Sequence, residues 1–314
     1  MQFQNSQSVH VHVGDCIAVL QTLPEFHFQT CVTSPPYFGL RDYQVDGQIG
    51  MEQTPDAYVA KLVEVFREVR RVLRDDGTVW LNLGDSYTGY HGNKNSIVPT
   101  SATNGWTNGT NENLRTTTAN LPGMKPKDLL GIPWRVAFAL QKDGWWLRSA
   151  IVWNKPNPMP ESVKDRPTSA YEMVFLLAKS EKYFYDADAV KENALTPNRK
   201  REKRNGGSAV DTKMRGYGSH CGTEGGTRNA RNVWTIATQP FKGAHFATMS
   251  PELARRCILA SCPEGGSVLD PFGGAGTTGL VAGGLNRRAT LIELNSDYAN
   301  IARSRLGHLV AFAT

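Results

Sequence analysis

Apolar and polar positions follow one another along the chain in an order that predicts strands and helices in turn. The alternation at Val11 and Val13 and the continuous apolar run over residues 28–33 are typical of strands. Residues 56–73 place apolar side chains three and four positions apart, as one face of a helix does, and residues 78–83 form a second strand run. This strand–helix–strand order predicts an α/β fold with a largely parallel sheet.

The second half of the chain continues the pattern. We predict helices over residues 129–140, 251–261 and 297–306, and strands over 145–153, 171–178, 267–269 and 289–292. Tyr183 and Tyr185 also alternate as strand residues do. The segment from Ser86 to Lys127 is rich in Asn, Thr and Gly and has few large apolar residues, which predicts a long loop.

Positive charge is concentrated in one segment. The 314-residue chain has 35 Lys and Arg residues against 29 Asp and Glu residues, a net charge of +6. Between Lys191 and Asn232 there are ten basic and four acidic residues, so this segment holds the whole excess. A basic, Gly-rich insert on a neutral body predicts a polyanionic partner, and the alternative is a solvated loop.

The composition excludes several classes of protein. With 40% hydrophobic and 20% charged residues, the chain is typical of globular proteins. No apolar run approaches the roughly 18 residues of a membrane helix, and the first residues lack the pattern of a signal peptide. The five cysteines form no CxxC pair and the histidines lack metal-ligand spacing, so we expect neither a disulfide framework nor a metal site. We therefore expect a cytoplasmic protein.

A glycine-rich turn follows the strand predicted at residues 267–269. Gly274, Gly276 and Gly279 have the Gly-x-Gly-x-x-Gly spacing that lets backbone N–H groups approach a nucleotide-like cofactor. Glu293 ends the next strand about 20 residues later, where a carboxylate can bind ribose hydroxyls. Only 35 residues follow Gly279, so most of the sheet must come from earlier in the chain. This order predicts a permuted α/β arrangement.

A proline turn, Ser34-Pro35-Pro36-Tyr37, follows the strand at residues 28–33. Proline has no N–H group, so this turn offers hydrogen-bond acceptors and an aromatic ring but few donors. Ligands of open α/β sheets bind at the carboxyl ends of strands. The turn therefore suits a planar aromatic amine, which has two N–H donors and a face for stacking.

Together the two motifs resemble those of the amino-methylating DNA methyltransferases, which modify N4 of cytosine or N6 of adenine. The family's catalytic motif, [Asp/Asn/Ser]-Pro-Pro-[Tyr/Phe], matches residues 34–37, and its S-adenosylmethionine motif, Asp-Pro-Phe-x-Gly-x-Gly, matches residues 270–276. The catalytic motif comes first, as in the permuted β group. Further resemblance lies in Gly14-Asp15, in Trp153-Asn154-Lys155-Pro156 and in His245-Phe246-Ala247-Thr248.

The resemblance implies a circularly permuted, Rossmann-like methyltransferase fold: a mixed, mostly parallel sheet with helices on both faces. It divides the chain into a catalytic half (residues 1–185, with the inserted loop 86–127), a target-recognition insert (186–232) and a cofactor half (233–314). It also implies S-adenosyl-L-methionine as cofactor and double-stranded DNA as partner, with the target base flipped out of the helix. A cognate restriction endonuclease and the choice between monomer and dimer stay open.

The resemblance also implies roles for individual residues. The Ser34 hydroxyl and the Pro35 carbonyl would accept the N–H bonds of the target amine, and Tyr37 would stack on the base. The expected catalytic set is Ser34, Pro35, Pro36 and Tyr37, and the expected cofactor set is Asp15, Asp270, Pro271, Phe272, Gly273, Gly274, Gly276, Thr277, Thr278 and Glu293. The expected DNA-contacting set is Arg199, Lys200, Arg201, Lys203, Arg204, Lys213 and Arg215. Asp15 fits a helix N-cap equally well, and Trp153 fits either the core or the base pocket.

Several alternatives stay open at this point. The serine form of the motif favours cytosine N4 over adenine N6. A nicotinamide dehydrogenase would share the glycine run and Glu293 but would not use the proline turn or the basic insert. An RNA or protein-amide methyltransferase could use a similar turn, and a methyltransferase fold could also serve as a non-catalytic DNA-binding module.

Overall fold

The secondary structure follows the hydrophobic pattern closely. The computed structural model describes residues 8–40, 42–43, 45–89, 121, 123–193, 226–239 and 249–310. The helices are α1 (Cys16–Thr22), α2 (Pro55–Val72), α3 (Ile132–Lys142), α4 (Pro251–Ser261), α5 (Thr277–Gly284) and α6 (Ser296–Leu306), followed by a 3₁₀ turn at Gly307–Leu309. The strands are β1 (Val9–Val13), β2 (Phe28–Thr33), β3 (Leu73–Leu83), β4 (Trp146–Asn154), β5 (Tyr171–Ala178), β6 (Glu192–Asn193), β7 (Thr227–Arg228), β8 (Val233–Thr235), β9 (Ser267–Asp270) and β10 (Arg288–Glu293).

Eight of these strands form one sheet, in the order β1-β10-β9-β2-β3-β5-β4-β8. Neighbouring strands are parallel except at β5, which is antiparallel to both β3 and β4. Strand β9 comes late in the sequence but pairs with β2, near the start, at Thr30↔Val268 and Cys31↔Leu269. The fold class predicted from the sequence is confirmed, including its permuted order.

Three helices cover each face of the sheet. The strands alternate between the two faces, so Cys31, Val79 and Phe175 pack against α1, α2 and α3. Their neighbours Val32, Trp80 and Val174 pack against α4, α5 and α6 on the other side. Because the parallel strands run the same way, the carboxyl ends of β2, β3, β9 and β10 meet at one edge of the sheet.

Three details of the predicted secondary structure are wrong. Helix α3 begins at Ile132 rather than at residue 129, because Gly131 has a left-handed φ of 67° and a proline occupies the first helical turn. Strand β3 begins at Leu73 rather than at the predicted residue 78, because Leu73 already pairs with Phe28 ahead of a bulge. Tyr183 and Tyr185 lie in no strand; Tyr183 packs instead against the core on the face of the sheet that α4, α5 and α6 cover.

Two predicted segments, the loop 86–127 and the insert 186–232, lie largely outside the described residues. The whole DNA-contacting set from Arg199 to Arg215 and the stretch from residue 245 to 248 also lie outside them. The described ends of the basic insert form the two-stranded ribbon β6–β7, where Glu192 makes ion pairs with Arg228 and Arg231. The division of the chain at residues 185 and 233 stays a prediction. Across the ranges described above, no helix is long and apolar enough to cross a membrane.

Candidate functional site

A pocket opens at the sheet edge where β2, β9 and β10 end, and both sequence motifs reach it. Of the expected residues it is lined by Asp15, Ser34, Pro36, Asp270, Pro271, Phe272, Gly273, Gly274, Thr277, Thr278 and Glu293. Pro35, Tyr37 and Gly276 are not part of this lining. Gly276 instead precedes α5 with a φ of 80° and lies against α6, where an added Cβ would be 3.0 Å from Cβ of Ala302.

The ends of β2 and β9 are joined by one buried carboxylate. Asp270 accepts a hydrogen bond from the Thr33 hydroxyl at 2.6 Å and another from the Thr278 hydroxyl at 2.7 Å. The backbone N–H of Phe272 donates a third at 3.1 Å. Burial raises the pKa of the Asp270 carboxyl, and these three donors partly oppose the rise. Asp270 therefore holds the proline turn and the glycine loop in a fixed relation.

The glycine loop is closed by Glu293 at the end of β10. One carboxylate oxygen of Glu293 accepts the N–H of Gly274 at 2.8 Å, and the other accepts the N–H of Asn295 at 2.9 Å. Burial raises the pKa of this carboxyl. The loop lies so close to β10 that a Cβ on Gly273 would be 2.9 Å from Cβ of Leu291. Gly273, at the variable position of the motif, is thus required by packing against β10.

Asp15 lies where both interpretations left open by the sequence would place it. It is the N-cap of α1, accepting the N–H of Ala18 at 2.9 Å, and it also lines the pocket. The next residue, Cys16, has its thiol pKa raised to about 12 by burial, so it is not a nucleophile at neutral pH. Cys31, Cys257 and Cys262 are buried free thiols with raised pKa values as well.

The pocket has an acidic and aromatic lining. Among its described lining residues, Asp15, Asp270 and Glu293 are the charged ones, and none is Lys, Arg or His. The lining also includes Tyr43, Val45, Gln48 and Ile49, from the loop between β2 and α2, and Tyr298 of α6, and none of these was predicted from the sequence. The rings of Tyr43 and Tyr298 meet edge to face, with centroids 6.0 Å apart. Loop residues of this kind have no periodic pattern, so the sequence carried no signal for them.

This set of groups fits S-adenosylmethionine. Aromatic and aliphatic side chains suit the adenine, carboxylates at a strand end suit ribose hydroxyls, and an acidic lining suits the positive sulfonium and ammonium groups. A dinucleotide fits this site less well, because the charged side chains of the described lining are carboxylates, which repel a pyrophosphate.

The proline turn is held from two sides. The buried Tyr58 of α2 donates its hydroxyl to the carbonyl of Pro36 at 2.8 Å. The Tyr37 hydroxyl donates to Glu172 of β5 at 2.6 Å, and the Tyr37 ring lies so close to Gly84 that a Cβ there would be 2.5 Å away. The Ser34 hydroxyl is 3.4 Å from the Tyr37 oxygen. The turn is thus rigid, with its serine facing the pocket.

Glu172 and Asn82 were not among the site residues predicted from the sequence, and no role was predicted for Lys155. Glu172 makes an ion pair with Lys155 and accepts the side-chain N–H of Asn82 at 2.9 Å. A signal existed, because Glu172 is the one carboxylate in the otherwise apolar run of β5.

Trp153 belongs to the core, with its indole N–H donating to the carbonyl of Ile236 at 2.9 Å. Among the described residues, no three His, Cys, Asp or Glu side chains converge as metal ligands.

Known proteins are similar to this chain in sequence and in fold. The model of a DNA methylase family, that of the N6/N4 enzymes, matches residues 28–304. The type II methyltransferase M.Cfr9I of Citrobacter freundii is 48% identical over 297 residues, covering 93% of this chain and 86% of that protein. The type II methyltransferase M.SmaI of Serratia marcescens is 45% identical over 306 residues, covering 96% and 92%.

Solved structures agree on the fold. The PvuII DNA methyltransferase, described as cytosine-N4-specific, superposes with a TM-score of 0.63 at 18% identity, covering 95% of this chain and 86% of that one. A complex of M1.HpyAVI with SAM superposes with a TM-score of 0.53 at 17% identity, covering 95% and 99%. With its two motifs meeting in one pocket, the chain belongs to the N6/N4 family of amino-methylating DNA methyltransferases.

Proposed function

We propose that this protein transfers a methyl group from S-adenosyl-L-methionine to the exocyclic N4 amine of cytosine within a specific sequence of double-stranded DNA. The observation that carries the proposal is the hydrogen bond between Thr33 and Asp270, which brings the proline turn and the glycine loop to one pocket. A methyl donor in the loop and an amine at the turn would then lie side by side.

The cofactor is S-adenosyl-L-methionine, which supplies a methyl group on a positively charged sulfur when bound. Glu293 stands at the position from which a carboxylate binds ribose hydroxyls, and one of its oxygens already accepts from the loop. Asp270 is occupied by three donors, so its part is to hold the loop rather than to bind the ligand directly. Asp15 adds a second pocket-facing carboxylate at the N-terminus of α1.

The residues of the proline turn contribute by binding and orienting the target amine. The amine of cytosine is a weak nucleophile, because its lone pair is delocalised into the ring. When the Ser34 hydroxyl and the Pro35 carbonyl accept its two N–H bonds, the nitrogen becomes more tetrahedral and its lone pair is free to attack. The rigid turn holds the amine in line with the methyl group, and such positioning supplies much of the rate. The target base must first leave the helix, which costs a few kcal/mol.

Two observations favour cytosine over adenine. Residue 34 is serine, the form of the motif that resembles the cytosine-N4 branch. The PvuII enzyme, whose fold this chain shares, is described as cytosine-N4-specific. The alternative is N6 methylation of adenine by the same residues.

The relatives also suggest a biological setting. Both M.Cfr9I and M.SmaI are named type II methyltransferases, enzymes of restriction–modification systems. We therefore expect a companion restriction endonuclease that acts on the same DNA sequence. The basic insert, with the set from Arg199 to Arg215, would contact the DNA phosphates and carry the residues that read the sequence.

Product analysis tests the proposal. The purified protein is incubated with unmethylated plasmid DNA and S-adenosylmethionine, the DNA is digested to nucleosides, and the products are identified by mass spectrometry. We expect N4-methylcytosine, formed much more slowly by Ser34→Ala. N6-methyladenine would show that the target base is adenine rather than cytosine, and it would still support methyl transfer to an exocyclic amine of DNA. No methylated nucleoside on DNA of varied sequence would refute the activity.

A further inference from the structure

The carboxylate of Glu172 has no part in the mechanism described so far. It stands second in β5, next to six residues that are all buried, and only 15% of its side chain is exposed. A carboxylate in such surroundings is unfavourable unless it is paired and hydrogen-bonded. A carboxylate at this poorly exposed position therefore needs a specific role, because it does not serve as a solvated surface charge.

Three donors converge on this carboxylate. Lys155 pairs with one oxygen, and the Asn82 amide and the Tyr37 hydroxyl donate to the other at 2.9 and 2.6 Å. These polar groups reach Glu172 from β4, β3 and the proline turn. An ionised carboxylate only accepts, so the single hydrogen of the Tyr37 hydroxyl points at Glu172.

This arrangement sets the direction of the next hydrogen bond. With its own hydrogen given to Glu172, the Tyr37 oxygen can only accept from Ser34, which lies 3.4 Å away. Catalytic hydrogen bonds of this length often tighten in the Michaelis or transition-state complex. Burial and the neighbouring Glu172 raise the pKa of the Tyr37 phenol well above its usual range, so the phenol stays a donor at neutral pH.

We propose that Glu172 is a positioning residue, the terminal acceptor of a hydrogen-bond chain from Ser34 through Tyr37 that makes the Ser34 oxygen an acceptor toward the target amine. The inference rests on the proposed function and adds a residue to it. A serine hydroxyl can either donate or accept, and a hydroxyl that donated to the amine would occupy the lone pair that must attack. Because its hydrogen is directed to Tyr37, Ser34 presents lone pairs to the pocket.

A double-mutant cycle tests the inference. Methyl transfer to DNA is measured in single turnover with enzyme in excess, for the parent, Glu172→Gln, Ser34→Ala and the double variant. We expect Glu172→Gln to slow transfer about 10- to 100-fold in the parent and not at all in the Ser34→Ala background. Equal slowing in both backgrounds would show that Glu172 acts independently of Ser34, and the inference would be wrong.

Two further variants guard against loss of folding. Tyr37→Phe keeps the ring and the ion pair of Glu172 with Lys155, and it should show the same dependence on Ser34. In a Ser34→Asp background, whose carboxylate accepts without any hydrogen to direct, Glu172→Gln should have no effect. An effect of Glu172→Gln there as large as in the parent contradicts the inference.

Controls come from the opposite edge of the sheet. Glu25→Gln removes an exposed carboxylate that pairs with Arg71 before β2, and Tyr183→Phe removes a hydroxyl that bonds Arg148. Both should leave the transfer rate unchanged. The cofactor dissociation constant of every variant should match the parent if Glu172 acts only on Ser34. The melting temperature will fall where Lys155 loses its partner, and it need only stay above the assay temperature. A parent protein that transfers no methyl group to any DNA refutes the proposed function itself, a result distinct from an additive cycle.

Discussion

The hydroxyl of Thr33, the last residue of β2, donates to the carboxylate of Asp270, the last residue of β9, at 2.6 Å across 237 positions of sequence. Both residues are buried: Thr33 has no exposed surface, and Asp270 is 4% exposed. This bond ties the turn that would receive the amine to the loop that would receive the cofactor. Its strength therefore decides how well the two halves of the site stay aligned.

Replacing Thr33 with valine should lower both stability and cofactor affinity. Thr33→Val keeps the side-chain shape but removes one donor from a buried carboxylate, which costs about 1 to 3 kcal/mol in the free energy of unfolding. Urea denaturation measures the loss. Thr22→Val, at an exposed hydroxyl near the end of α1, is the matched control and should change the free energy of unfolding by less than about 0.5 kcal/mol. Equal losses in the two variants would contradict the role of the bond.

Cofactor affinity should fall as the pH is lowered. Burial raises the pKa of Glu293 above its usual range, and ribose hydroxyls and positive charge both favour its ionised form. Affinity is therefore complete above this raised pKa and is lost as the pH falls through it. Calorimetric titration of S-adenosylmethionine between pH 7 and pH 5 would measure the change.

The Glu293→Gln variant tests whether Glu293 is the group whose titration changes the cofactor affinity. It should bind the cofactor more weakly at pH 7 and lose most of the pH dependence. Glu264→Gln, at an exposed carboxylate that bonds Asn286, should keep the parent's affinity and pH profile. An unchanged pH profile in Glu293→Gln would assign the titration to another group.

Adding a methyl group at Gly84 should disturb the proline turn. A Cβ there would lie 2.5 Å from the Tyr37 ring, so Gly84→Ala must displace the ring or the end of β3. Overpacking of this kind costs about 1 to 3 kcal/mol, and methyl transfer should slow because a displaced Tyr37 no longer reaches Glu172. Gly284→Ala has open space around its Cβ and should preserve both melting temperature and rate. Normal transfer by Gly84→Ala would mean that the position of Tyr37 is unimportant.

The basic insert should govern the salt dependence of DNA binding. Replacing Arg199, Lys200, Arg201, Lys203 and Arg204 with glutamine should reduce the slope of log affinity against log salt by about 0.9 for each DNA phosphate that the variant no longer neutralises. Fluorescence anisotropy at several salt concentrations measures the slope. Arg67→Gln, on α2 and paired with Asp143, should leave the slope unchanged. A slope unaffected by the five substitutions would refute phosphate binding by this part of the insert.

The elements of the fold were predictable because hydrophobic periodicity is a local property. Residues 28–33 and 171–178 could be assigned as strands from a few neighbours, and their observed bounds agree. The boundary errors at Ile132 and Leu73 arise where a left-handed glycine or a strand pairing, rather than periodicity, sets the end.

The site was predictable only as two separate motifs. Ser34 and Glu293 could be singled out because residue type and strand ends suggested their chemistry. That Asp270 binds Thr33 and Thr278, and that Glu172 binds Tyr37, depends on sheet order and register, which no local pattern contains. Tyr43 and Tyr298 reach the pocket from a loop and a helix for the same reason.

The charge of the pocket has a consequence for the crowded interior of a cell. Adenosine occurs there mostly as phosphorylated nucleotides such as ATP, whose adenine and ribose are identical to those of the methyl donor. The charged side chains of the described lining are Asp15, Asp270 and Glu293, so the pocket should disfavour a triphosphate relative to a positively charged sulfur. Two of these carboxylates, Asp270 and Glu293, also hold the glycine loop, so the groups that shape the loop should also favour one adenosine compound over an abundant rival.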